Sequence, residues 1–205
     1  MTRSTRARII DEALRLFAER GYSATSVAEI EAASGLSPGA GGLYRHFKSK
    51  YEVLAAAINE HATRTRSQVA ESLAELSSME ASAALEDRLS HLCRAGLAKV
   101  REESELTRVF FRDLSQFPEL VAVVREGLLQ PMFDAIVTWF RAQPEYTDVE
   151  VDWAGISVVL GGSVVHYRLF QETVGELPGY ADKDQFVAAW VRLAVGLLPS
   201  PAPVS

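Results

Sequence analysis

An all-α fold is predicted by three features of the sequence. Apolar residues recur at helical spacing along most of its length, Ser-x-x-Glu boxes mark helix starts, and no alternating strand pattern of useful length occurs. The 205 residues suit one or two domains with a packed core. With 48% hydrophobic and 23% charged residues, 13 Gly and 8 Pro, the composition excludes disordered, collagen-like and low-complexity classes.

Ile9, Ile10, Ala13, Leu14, Leu16 and Phe17 predict a first helix, and Gly21 just beyond them is a C-cap signal. Ser26-x-x-Glu29 is a capping box in which hydroxyl and carboxylate each satisfy an orphan N–H; it opens a second helix with Val27, Ile30 and Ala33 inward, ending at Gly35. Ser37 as cap and Pro38 at the first helical position predict a third helix to about His46. Ser49-x-x-Glu52 launches a long fourth helix through Val53, Leu54, Ala57, Ile58, His61, Val69 and Leu73. Leu85, Leu89, Leu92, Gly96 and Val100 predict the next, followed by one over 106–114. Pro118 opens a further helix that Pro131 should kink. Helices over about 150–171 and 182–198, separated by a loop at 175–180, complete the set, and the Pro/Ser-rich tail 199–205 is expected to be disordered.

A single cysteine, Cys93, permits no intramolecular disulfide and no multi-cysteine zinc site, so a cytoplasmic protein is expected. Residues 1–8 are basic but lead into an amphipathic pattern rather than an apolar signal-peptide region. The charge-free run Trp153 to Val165 is 13 residues, shorter than the roughly 18–20 that span a bilayer, so no membrane partner is expected.

Net charge is −6, yet residues 1–50 carry eight Lys/Arg against five Asp/Glu, and the remainder 13 against 22. The basic end and the acidic remainder therefore face different partners. Within the basic end, two short helices joined by the tight turn Ser34 to Ser37 have the form of a helix-turn-helix. A helix of this kind enters a major groove about 12 Å wide, while helix N-termini offer N–H groups to phosphates. Thr25, Ser26 and Ser37 lie at such N-termini, and Lys48 and Lys50 stand where they can clamp the backbone on the other side. A plain helical hairpin with a solvated basic face fits the turn equally well.

The block Leu43-Tyr44-Arg45-His46-Phe47-Lys48-Ser49-Lys50, preceded by Gly35-Leu36-Ser37-Pro38-Gly39, decides between them. It resembles the tetracycline-repressor (TetR) family of bacterial regulators, with its Gly-hydroxyl turn followed by Tyr-x-x-Phe-x-x-Lys, over residues 6–54. The resemblance implies an all-helical homodimer with a three-helix DNA-binding domain at 1–50 and a helical effector and dimerisation domain at 51–198, in which 51–77 form the connecting helix. It implies that Tyr44 and Lys50 contact phosphates, that Thr25 and Ser26 touch the backbone, and that Phe47 packs inside the small domain. One departure stands out: Gly35 to Tyr44 spans nine positions where the family has seven, the extra residues falling in Gly39-Ala40-Gly41-Gly42. Each helical Gly costs about 1 kcal/mol relative to Ala, so an irregular recognition helix that orders on DNA is expected. Close backbone approach falls to Gly39, Gly41 and Gly42, with Pro38 at the entry, and direct readout to Ser37, Ala40, Arg45 and His46.

Catalytic and metal signals are weak. Gly35-Leu36-Ser37-Pro38-Gly39 fits G-x-S-x-G, but that elbow needs a strand before the serine. His91-x-Cys93 has no third ligand nearby, His46, His61 and His166 are dispersed, and Asp182-x-Asp184 lacks the calcium-loop glycine and opens the last helix. No enzyme activity, cofactor or metal is expected.

The segment Trp153 to Phe170 is apolar on more than one face, with Gly161, Gly162 and Ser163 at its centre. With Phe186, Trp190, Leu193 and Leu197 it resembles the family's dimer interface, drawing on Trp153, Ile156, Leu160, Ser163 and Tyr167. Phe110, Phe111, Met132, Trp139 and Tyr167, with His91, Arg112, His166 and Arg168 as polar anchors, are candidate effector contacts, suited to a mostly apolar small molecule. The expected partners are thus a palindromic double-stranded DNA operator, a small-molecule effector and a second copy. The alternative is a helical ligand-binding dimer without sequence-specific DNA binding.

Overall fold

The computed structural model describes residues 4–78, 83–175 and 182–197. Among these, every regular element is helical. They are α1 (Thr5–Arg20), α2 (Val27–Ala33), α3 (Lys50–Ser78), α4 (Leu85–Glu102), α5 (Ser104–Asp113), α6 (Pro118–Val124), α7 (Gln130–Arg141), α8 (Trp153–Val174) and α9 (Lys183–Val195). The expected tail 199–205 and most of the loop 175–180 lie outside the described residues.

Capping chemistry accounts for most boundaries. Ser4 Oγ accepts the Ala7 N–H to start α1, and the Gly21 N–H donates to Phe17 O to end it. Asp182 and Gln185 form a reciprocal capping box on α9. Pro118 occupies the first turn of α6, where its missing N–H costs nothing. The irregularity expected at Pro131 appears just before it, as a π turn over Arg125–Leu129.

The described chain divides into two compact units that are discontinuous in sequence. The first comprises Met1–Arg66 and Glu103–Gln130, the second Ser67–Glu102 and Pro131–Ser205. In the first, Ile9, Ile10, Ala13, Leu14 and Phe17 of α1 pack with Ile30, Leu43, Val53, Leu54 and Ile58, and with Val109 and Leu114 from α5 and beyond. Each such fully buried aliphatic or aromatic side chain contributes roughly 1.5–3 kcal/mol. Phe47 is 5% exposed within this core, as expected, and the Arg6 guanidinium lies 5.1 Å above its ring. His61 Nδ1 is 2.6 Å from Glu103 Oε2, tying α3 to the start of α5.

The second unit is organised around aromatics. Phe140 stacks on Trp153 with centroids 5.5 Å apart, Tyr146 meets Trp153 edge-on at 5.2 Å, and the Tyr146 hydroxyl donates to Ala194 O at 2.9 Å. Trp190 Nε1 donates to Leu160 O at 3.0 Å, joining α9 to α8. Cys93 lies buried in this core, and desolvation pushes its thiol up to about 12.

Candidate nucleic-acid interface

The helix-turn-helix begins with α2, whose N-terminus is closed by the predicted box. Glu29 N–H donates to Ser26 Oγ at 3.2 Å and Ser26 N–H donates to Glu29 Oε2 at 2.7 Å. Hydrogen bonds from the Ser26 backbone and hydroxyl, with Arg20 nearby, hold the exposed Glu29 carboxyl below its ordinary range. At its C-terminus the Leu36 N–H reaches Glu31 O at 2.8 Å and the Gly35 N–H reaches Ala32 O at 3.1 Å, with Gly35 at φ +73°. This pair of bonds is a Schellman motif.

No third α-helix follows among residues 37–46, and this corrects the sequence expectation. Residues 38–41 are turns, and only Leu43–Arg45 form a single 3-10 turn. The reason is conformational: Gly39 and Gly41 adopt φ +73° and +74°, which an L-residue helix cannot contain. Beside them, a Cβ on Gly42 would stand 3.3 Å from Leu36 Cδ1, so Leu36 packs over that glycine. The segment is nonetheless pinned. Glu31, fully buried, accepts the Gly39 N–H on Oε2 at 2.7 Å and the Leu43 N–H on Oε1 at 3.0 Å. The sequence reading does not single out Glu31, although it stands at i+4 from Val27 beside Ile30, on the apolar face of α2, where a carboxylate must find partners.

This pinned segment presents the predicted contacts unequally. Ser37, Pro38, Gly39, Ala40, Arg45, His46 and Lys48 are exposed, Tyr44 is 56% exposed, and Gly41 and Gly42 are half-buried. Ser26 is exposed at the N-terminus of α2. Two residues face elsewhere. Thr25 is 1% exposed and its hydroxyl donates to Gly21 O at 2.8 Å, so its side chain braces the link between α1 and α2 instead of reaching the surface. Lys50 Nζ donates to Tyr22 O at 2.8 Å and Thr25 O at 2.7 Å, and sits 4.3 Å above the Tyr22 ring. Two of its three donors are thus spent on carbonyls, and burial pulls its ammonium below the ordinary lysine range. Main-chain carbonyls leave no mark in a sequence pattern, so neither role is visible there.

The G-x-S-x-G match lacks its required context, because Ser37 follows a helix and not a strand. Among the described residues, no group of three or more His, Cys, Asp or Glu has the proximity to hold a metal.

The candidate effector residues separate between the units. Phe110, Phe111 and Arg112 belong to the first; Phe111 is 61% exposed, and Arg112 donates to the Phe17 and Ala18 carbonyls, which makes it a strut for α1 and not a polar anchor. His91, Met132, Trp139, His166 and Tyr167 belong to the second. His91 and His166 are exposed, the latter against Phe170 at 4.4 Å. Tyr167 stacks on Phe186 at 4.3 Å, and Met132 is half-buried. Trp139 Nε1, Ser157 Oγ and Arg168 Nε are buried without a hydrogen-bond partner.

The predicted dimer residues are also divided. Trp153, Leu160 and Trp190 are 4–6% exposed and face their own unit's core, and Ile156, Ser163, Tyr167, Phe186 and Leu197 are partly buried. Leu193 alone of the predicted set is open, at 68%. The open apolar stripe runs along other positions: Val158 and Val159 are 55% and 69% exposed, with Gly162 and Phe170 following at helical spacing. In a helix apolar all round, periodicity alone does not say which face is inside.

Comparison with known proteins places this geometry. The family described as bacterial regulatory proteins, tetR family, matches residues 9–57. Across 93% of the chain and 97% of the relative, the sequence is 24% identical to the uncharacterised HTH-type transcriptional regulator YvkB of Bacillus subtilis. Over 49 residues, 24% of the chain and 22% of the relative, it is 49% identical to the HTH-type transcriptional regulator AcrR of Shigella flexneri. A TetR-family regulator structure from Mesorhizobium loti aligns with 96% of this chain and 98% of its own at a TM-score of 0.72 and 20% identity. The regulator FadR of Bacillus subtilis, solved with stearoyl-CoA, aligns with 94% and 97% at 0.65 and 18%. The matched residues 9–57 contain the Ser34–Ser37 turn and the Tyr44-x-x-Phe47-x-x-Lys50 block, so this part of the chain is similar to the TetR family of bacterial regulatory proteins.

Proposed function

We propose that the protein is a homodimeric, cytoplasmic DNA-binding repressor released from a palindromic operator by a mostly apolar small molecule. The observation that carries this reading is the exposed edge Ser37–Ala40, Tyr44, Arg45, His46 and Lys48, held out from a buried frame. It offers hydroxyl, guanidinium, imidazole and ammonium donors in the pattern that phosphates and base edges accept. Ser26, Tyr44 and Lys48 are its phosphate contacts, joined by the remaining Lys50 donor.

Dimerisation is supported by the open stripe Val158, Val159, Phe170 and Leu193, which a monomer would leave in water. A second copy on that stripe supplies the second recognition segment that a two-fold operator requires, one DNA turn or about 34–36 Å away. Effector binding in the second unit is supported by the buried, unpartnered Trp139 Nε1, Ser157 Oγ and Arg168 Nε, donors that a bound polar group would satisfy. Release is then a population shift, set by the effector's unequal affinity for two conformations.

The test is selection of a random duplex library by the purified protein at moderate salt. A two-fold symmetric sequence with half-sites about one turn apart supports the reading. Stearoyl-CoA, bound by the FadR of similar fold, is the first probe for release of that duplex. Enrichment of no sequence, with no salt-sensitive binding, would contradict it and favour a ligand-binding dimer.

A further inference from the structure

Glu31 holds three backbone N–H groups of one continuous segment. Its carbonyl takes that of Leu36 at 2.8 Å, and its carboxylate takes those of Gly39 at 2.7 Å and Leu43 at 3.0 Å. The carboxylate is fully buried under the segment that carries Ser37, Ala40 and Tyr44. With glycine at 39, 41 and 42, such a segment has wide conformational freedom when untethered. Anchoring it at both ends of Gly39–Leu43 removes much of that freedom before any partner arrives.

We propose that Glu31 is a positioning residue that presets the DNA-reading segment in the free protein and thereby sets its discrimination between sequences. This rests on the DNA-binding reading above. It also replaces ordering on DNA, the sequence expectation, with ordering in advance.

The charge argues for geometry over affinity. An anion beneath a phosphate-binding surface repels the duplex, so its presence there needs another use, and a carboxylate is the side chain with acceptors for two N–H groups at once. Glutamine has the same shape but one acceptor oxygen, and its NH₂ would face an N–H. Glu31→Gln therefore releases one anchor while removing the repulsion.

The experiment measures affinity of native protein and Glu31→Gln for the duplex enriched by the native protein and for a scrambled duplex at the same salt. Amide exchange at Gly39 and Leu43 is followed in the DNA-free proteins. The proposal expects Glu31→Gln to lose at least tenfold in the ratio of the two affinities while binding the scrambled duplex as well as native or better. Exchange at Gly39 or Leu43 should rise at least tenfold, with the α1 and α3 amides still protected. A ratio within twofold of native overturns it, as does exchange at those two amides in the native protein as fast as in an open loop, a result that needs no variant. If the native protein enriches no duplex, the DNA-binding reading fails by itself, and native exchange still decides whether the segment is preset.

Discussion

The two candidate binding faces are built in opposite ways. Residues 37–46 of the first unit form a polar, glycine-rich edge whose shape is held by hydrogen bonds to one buried carboxylate. The α8 and α9 face of the second unit is an apolar stripe on long helices, held from behind by Trp153, Leu160 and Trp190. Hydrogen bonds fix a loop at particular atoms, whereas apolar burial fixes a helix over its whole length and tolerates small shifts. A surface that must read base edges gains from the first, and a surface that must bury area against another copy gains from the second.

Removing the support behind the apolar face should have the largest effect. Trp190→Ala deletes a buried indole and the hydrogen bond to Leu160 O, and should cost about 3–5 kcal/mol in urea unfolding. The next largest concerns the face itself. Val159→Glu and Leu193→Glu, both at exposed positions, should each change folding stability by no more than about 0.5 kcal/mol yet weaken self-association at least hundredfold in sedimentation equilibrium. Unchanged association in both folded variants would mean that the stripe is not where two copies meet.

The polar edge should respond to backbone geometry instead. Gly41→Ala places a Cβ at φ +74° and should cost about 1–2 kcal/mol in stability, measured by thermal unfolding. The sequence alone suggests the opposite, since alanine favours a helix, but no helix is present there to favour.

The smallest expected effect is at Cys93. Its thiol, pushed up to about 12 by burial, should stay unreactive toward a thiol reagent at pH 8 in the native state and react on unfolding. Because the folded value lies above the unfolded value near 9, burial of the neutral thiol contributes fully below pH 9 and its contribution falls as pH rises toward 12. Alkaline titration of stability in native protein and Cys93→Ala checks the sign.

Much of this fold is legible in the sequence because helix ends are local. Ser26 with Glu29, Asp182 with Gln185, Pro118 and Gly21 each act within a few residues, and each marks a real boundary. The recognition segment is not legible for a related reason: Ser37-Pro38 is a sound helix start, but the glycines that follow take left-handed φ values that side-chain patterns do not encode. The charge or hydroxyl of Thr25, Lys50 and Arg112 suits a ligand, while their actual partners are carbonyls distant in sequence. Of the expected dimer residues, Trp153 and Leu160 fall on the inward face of α8, because a helix that is apolar all round has no distinguishing side in its sequence.

The most direct test of the central claim, that the Ser37–Lys48 edge grips DNA, is the salt dependence of affinity for the enriched duplex in native protein and in Arg45→Ala/Lys48→Ala. The account predicts a linear fall of log affinity with log salt for the native protein. The variant should bind more weakly with a shallower slope, by roughly one for each phosphate that it no longer neutralises. Equal slope and equal affinity in the two proteins would contradict it and move the DNA contact, if any, to another surface.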